Sequence, residues 1–116
     1  MASAPQLSRV SHARQTLIRL CQSTNYGHIQ DLEVRDREPV FPAPACIVSL
    51  DIKLDSDEWV RPAPTIPDFS LSAEVVRLME LLDRIQNGKI SKIEVRAGIP
   101  RRAVWEKRLE SEEVSA

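Results

Sequence analysis

One stretch of this chain occurs twice. Tyr26 to Phe41 returns as Asn87 to Arg102: shifted by 61 positions, Gly27, Ile29, Glu33, Val34, Arg35 and Pro39 fall on Gly88, Ile90, Glu94, Val95, Arg96 and Pro100, and Leu32 falls on Ile93. The apolar positions upstream keep the same step, with Leu17, Ile18, Leu20 and Cys21 falling on Leu78, Met79, Leu81 and Leu82. We read this as a duplicated unit made of a helix, a glycine and a short β-ribbon. Neither helix buries its apolar stripe alone, and a lone two-stranded ribbon is marginal in water, so the units must share a core. Duplication further predicts pseudo-two-fold symmetry between them, with a homodimeric single-unit ancestor.

In the first unit (8–41), Val10, Ala13, Leu17, Leu20 and Cys21 recur at three- and four-residue spacing between Ser8 and Thr24. That is an amphipathic helix, with Arg9, Arg14 and Arg19 elsewhere on its circumference. Ser8 or Ser11 caps it, and Gly27 is expected to supply the left-handed residue of its C-cap. His28 to Arg35 reads as a strand in which Leu32 and Val34 alternate with polar neighbours while Ile29 has the wrong parity. Ile90 misfits Ile93 and Val95 in the same way, and a bulge shared by the two copies accounts for both. Asp36-Arg37-Glu38 and Ala97-Gly98 are the expected turns. Each is followed by a proline, Pro39 or Pro100, which suits an edge strand. The second unit (72–106) has a helix begun by Ser70 or Ser72, with a stripe of Val75, Leu78, Met79, Leu82 and Ile85, ended by Asn87-Gly88. A ribbon of Lys89–Arg96 and Ile99–Trp105 follows.

Residues 42–71 connect the units. Cys46, Val48, Leu50, Ile52 and Leu54 alternate there with Ser49, Asp51 and Lys53, the pattern of a half-buried strand. Asp55–Glu58 reads as a solvated loop and Arg61–Pro67 as a stiff, extended spacer. The first seven residues are expected to fray, and the tail 107–116 is charged. The fold class that follows is α+β: one domain of two helix–ribbon units plus an extra strand, with the helices on one face of a small antiparallel sheet.

Composition narrows the function. The chain has 116 residues, of which 42 % are apolar, slightly below the globular norm, and 28 % charged, which is ordinary. A net charge of −1 gives no bulk attraction to a polyanion. Locally the charge is uneven: residues 88–109 carry seven cationic side chains against two acids. Cys21 and Cys46 lack metal-ligand spacing and read as reduced thiols; a redox pair is the alternative and requires their Cα atoms within about 7 Å. There is no apolar leader and no run of about 18 apolar residues, so a cytoplasmic protein is expected.

No catalytic constellation emerges. His12 and His28 lack partners at useful spacing, and Glu33 and Glu94 lie between apolar strand residues, where they point to solvent. No serine sits in a nucleophile elbow, and three glycines make no phosphate loop. No enzyme activity, cofactor or metal is therefore expected. Ile90–Leu109 also fits part of a helix-turn-helix, with Ala97-Gly98-Ile99 as the turn and a helix starting at Pro100. The first copy argues against it, because Val40-Phe41-Pro42 cannot continue such a helix, and the ribbon is the preferred reading.

The helix followed by Tyr26-Gly27-His28-Ile29 and Val34-Arg35-Asp36, and the matching Asn87-Gly88-Lys89-Ile90, resemble the small bacterial YezD-like family over about residues 10–41 and 72–104. That family has no assigned activity. The resemblance implies a small cytoplasmic bacterial accessory protein. The function expected is a non-catalytic protein-interaction or regulatory module, with the ribbon edge Ile99–Trp105 as its open flank and Trp105 as anchor. The alternative is nucleic-acid binding through the basic second unit. The candidate contacts, to a partner or to nucleic acid, are Lys89, Lys92, Arg96, Arg101, Arg102, Trp105, Lys107 and Arg108. Strand alternation separates Arg101 from Arg102 and divides the basic patch between faces. The chain is expected as a monomer with internal symmetry or as a homodimer, away from membranes.

Overall fold

A computed structural model describes residues 6–55 and 71–107. The spacer 61–67, most of the 55–58 loop, Ser70, Arg108 and the rest of the charged tail, and residues 1–5, lie outside the described residues. After a 3-10 turn at Leu7–Arg9 come α1 (His12–Thr24), β1 (Gly27–Arg35), β2 (Glu38–Pro39) and β3 (Ile47–Leu50). Then follow α2 (Ala73–Ile85), β4 (Gly88–Arg96) and β5 (Ile99–Trp105). The class is α+β: two helices and a curled antiparallel sheet ordered β2-β1-β4-β5, with β3 also pairing β1.

Ser11 and Ser72 are the caps; each side chain accepts the backbone N–H three residues on, from Arg14 and Val75. This cap places the start of α1 later than the Ser8 start expected from periodicity. Val10 is extended between the 3-10 turn and the helix, so Leu7 enters the core from a separate turn. The helix exits also differ from expectation. The exit residues are Asn25 (φ 63, ψ −68) and Gln86 (φ 63, ψ −64), and Gly27 does not supply a left-handed C-cap. Tyr26 N–H donates to Thr24 C=O and Asn87 N–H to Ile85 C=O, each at 2.7 Å, so both helices leave through a positive-φ γ-turn.

The core lies between the helices and one face of the two central strands. Leu17, Ile18 and Cys21 of α1 and Val75, Leu78, Met79, Leu82 and Ile85 of α2 cluster with Ile29, Leu32 and Val34 of β1 and Ile90, Ile93 and Val95 of β4. The parity misfit is resolved by local irregularity. Asp31 in β1 sits at φ 60. In β4, Ile90 and Lys92 face consecutive β5 residues, Trp105 and Val104, which leaves Ser91 as an extra residue. All six apolar side chains thereby reach the same buried face.

The element positions keep the 61-residue step. α1 and α2 have 13 residues each, β1 and β4 nine, and each pair starts 61 positions apart. The β1–β4 register maps onto itself under the same shift: Gly27↔Val95 becomes Gly88↔Val34, and Ile29↔Ile93 becomes Ile90↔Leu32. So do two cross-links, Gly98 N–H to Asn25 C=O (2.9 Å) and Arg37 N–H to Gln86 C=O (2.8 Å). Each hairpin turn is fastened to the other segment's helix end.

The return strands break this correspondence. β5 is continuous, whereas the matching positions 38–44, which include the cis Phe41-Pro42 bond, hold only the two-residue β2, and β3 lies beyond them. The expected half-buried strand 46–54 is corrected accordingly. Only Ile47–Leu50 pairs, and all four residues are exposed. The reason is register: Leu50 lies opposite Gly27, the first residue of β1, so the chain beyond it runs past the point where α1 hands over to the sheet. The helix-turn-helix alternative is also overturned, because Ile99–Trp105 is a strand paired with β4.

Both hairpins turn on two residues of positive φ, Asp36 (52°) with Arg37 (68°), and Ala97 (53°) with Gly98 (75°). These are type I′ geometries, for which Asn-Gly is the preferred pair. Ala97→Asn is expected to stabilise the fold by about 0.5–1 kcal/mol, read as a higher urea midpoint at unchanged slope.

Candidate interaction surface

The sheet has one face without helices. Cross-strand neighbours there are His28 with Glu94, Gln30 with Lys92 and Glu33 with Lys89. Lys92, Arg96 and Lys89 therefore share this face, and Arg102, opposite Glu94, joins them. Arg101 does not. Glu94 and Val95 face Arg102 and Pro100, so Arg101 is the extra residue of a bulge and pairs with Glu74 of α2 at 2.7 Å. The basic set is divided between faces, as alternation implied, through a bulge the sequence did not signal. The cations of the open face are also interleaved with acids: Arg96 lies 3.7 Å from Glu94, and Arg35 pairs with Glu33. Lys107 stands 5.4 Å over the Trp105 ring. Trp105, opposite Ile90, packs partly buried against the core.

β5 is the sheet edge on this side, and it carries the features that discourage strand addition. Pro100 has no N–H, Arg101 forms a bulge, and Arg101 and Arg102 bring charge to the edge. A shallow groove of about 200 Å³ between α2 and β5 is floored by Leu78, Ile93 and Ala103 and rimmed by Arg77, Arg101 and Glu74.

The opposite edge, β3, has neither proline nor bulge. Ile47 (55 %), Val48, Leu50 (57 %), Ile52 and Leu54 (90 %) are all exposed, and no proline interrupts Cys46–Leu54. Val48 lies opposite Ile29 and Leu50 opposite Gly27, so their side chains continue the buried face of β1 into solvent. Exposed aliphatic residues gathered along one sheet edge are of the kind that marks interaction sites. Sequence reasoning took this segment for core. The available signal was Ile47, which breaks the alternation and makes both faces of the strand apolar.

The thiols are both free. Burial pushes Cys21 up to about 12 from 9.0, and Cys46 is raised by partial burial and by the nearby Asp31 carboxylate. A thiol that keeps its proton in the fold stabilises it fully below the unfolded value and loses that contribution as pH rises. Stability is therefore expected to fall between pH 9 and about pH 12, with a shallower fall in Cys21→Ala, measured by urea titration at each pH.

Among the described residues, no helix is long and apolar enough to cross a membrane, and no group of three or more His, Cys, Asp or Glu is placed to hold a metal ion. No family model, curated protein or solved structure matches the chain.

Proposed function

We propose that the protein is a non-catalytic protein-interaction module that engages its partner along the β3 edge. The observation that carries this reading is the set of exposed aliphatic residues Ile47, Val48 and Leu50 on β3, which pairs β1 on one side only, and Ile52 and Leu54 just beyond it. An open edge offers main-chain hydrogen bonds, and alternate side chains give specificity, which is the mode of strand addition. The same reading takes the chain as a duplicated unit, supported by the shared 61-residue step of helices, strands and cross-links. In it the first return strand is cut short at β2, and the connector that follows it supplies the binding element. A small cytoplasmic accessory role agrees with the YezD-like resemblance.

The test is affinity capture from the native host with the intact chain and with Val48→Lys/Leu50→Lys, whose substituted positions are exposed. Partners that disappear with the variant while its circular dichroism is unchanged support the module. An identical set of captured proteins, or none, overturns it.

A nucleic-acid reading gains from the placement of Arg102 with Lys89, Lys92 and Arg96 on the open face. It loses more to Glu33 and Glu94 lying among them. Phosphate neutralisation by Lys and Arg supplies most non-specific affinity, and here the cations already face carboxylates. Titration of duplex DNA, single-stranded DNA and RNA at low salt is expected to show no shift at about 50 µM protein. A steeply salt-dependent shift, lost in Lys92→Ala/Arg102→Ala, would replace the module reading.

A further inference from the structure

We infer that the partner of the β3 edge is a second copy of this chain, joined antiparallel across a two-fold axis at Ile52. The inference rests on the interaction-module reading and names its occupant.

Three observations lead there. The first is main-chain direction. Asp51 N–H donates to Tyr26 C=O at 2.8 Å, in register with Gly27↔Leu50 and Ile29↔Val48. In an antiparallel ladder, residues alternate between bonding inward and presenting both main-chain groups outward. Ser49 and Ile47 bond to β1 and Asp51 to Tyr26, so Val48 and Leu50 present theirs to solvent, and the same alternation carried one step on gives Ile52.

The second is charge. Outward residues must pair with outward residues, which confines the two-fold axis to a residue. An axis at Asp51 sets carboxylate against carboxylate, and one at Leu50 sets Ile47 against Lys53. An axis at Ile52 sets Asp51 against Lys53 of the second copy, twice, and Leu50 against Leu54, twice. The segment Leu50-Asp51-Ile52-Lys53-Leu54 is thus complementary to its own reverse. Opposite charges facing across a strand pair are favourable, and like charges there are not.

The third is exposure. Leu50, opposite Gly27, lies on the side of the strand that continues the core face, and Leu50, Ile52 and Leu54 are 57, 46 and 90 % exposed. Pairing draws Leu54 out of its turn and into the strand. It also covers the outward main-chain groups of Leu50 and Ile52, at an edge without the proline and bulge of β5.

The contact is short, so the association is weak, with Kd on the order of 10 µM. Sedimentation equilibrium of the full chain tests it, alongside Asp51→Lys, Lys53→Asp and the double exchange. Both side chains are exposed, and circular dichroism checks that each variant keeps the fold. Each single change places like charges opposite at two sites and is expected to weaken the dimer about tenfold; the double exchange restores it to within about threefold. A wild-type chain that stays monomeric at about 0.5 mM, far above the expected Kd, overturns the inference. So does a dimer indifferent to the single changes, or one not rescued by the double. A monomer that still captures a partner through Val48 and Leu50 removes the second copy and leaves the module reading standing.

Discussion

Gly27→Ala is expected to lower stability by about 3 kcal/mol and to release β3 from the sheet, while Gly88→Ala at the matching position costs under about 1 kcal/mol. A Cβ at Gly27 would lie 2.0 Å from the carbonyl oxygen of Ser49 and 3.2 Å from the Cα of Leu50. Both are backbone atoms of a paired strand, so no rotamer change relieves the overlap. β3 must move or the β1–β3 ladder must open. At Gly88 the nearest atom is the Ile85 Cγ2, at 3.2 Å, on a side chain that can shift by a few tenths of an ångström. Denaturant unfolding measures the difference. Amide exchange locates it: protection is expected to fall at Asp51, whose N–H bonds Tyr26, and to persist across the β1–β4 ladder. Equal costs at the two glycines would show that β3 does not press on Gly27.

These two glycines also mark how far the sequence could be read. Their identity at a 61-residue spacing exposed the helix–strand punctuation and placed β1, β4 and both hairpin turns, because hydrophobic period and turn residues are local signals. The stripe of α2 was legible for the same reason, whereas in α1 Leu17 and Cys21 were and the buried Ile18 was not. What distinguishes Gly27 from Gly88 was not. It depends on the approach of a strand more than twenty residues away, and no local pattern encodes that approach. The segment 46–54 shows the opposite error. Its alternation was genuine, but alternation reports which residues share a face and not whether anything covers that face. Cover depends on where α1 ends relative to the β1–β3 register. The basic residues of 89–107 were found as a set, yet the bulge at Arg101 decided which of them share a surface.

Arg14→Ala is expected to cost about 2 kcal/mol, and Arg14→Lys to recover less than half of it. Sequence periodicity placed Arg14 on the outer circumference of α1; its side chain is in fact only 13 % exposed. Its Nε–H donates to Glu38 at 3.1 Å, one amino group donates to Arg37 C=O at 2.8 Å and to the Asp83 carboxylate, and the other reaches Met79 C=O at 3.4 Å. One guanidinium thereby ties α1 to β2 and to α2, and Ser11, the cap of α1, adds its hydroxyl to Glu38. The carboxylates are more than a third exposed, at 38 and 58 %, so water screens the ion pairs and they account for the smaller share of the cost. The larger share comes from the carbonyls of Arg37 and Met79, which lose a charged donor. Lysine has the charge but a single nitrogen, which cannot serve a carboxylate and two carbonyls in separate directions. Unfolding in about 1 M NaCl separates the two contributions: the gap between wild type and Arg14→Ala should narrow only slightly, since salt screens charges and leaves the hydrogen bonds to carbonyls in place. A gap that closes at high salt would mean that Arg14 acts as a surface charge and does not join the layers.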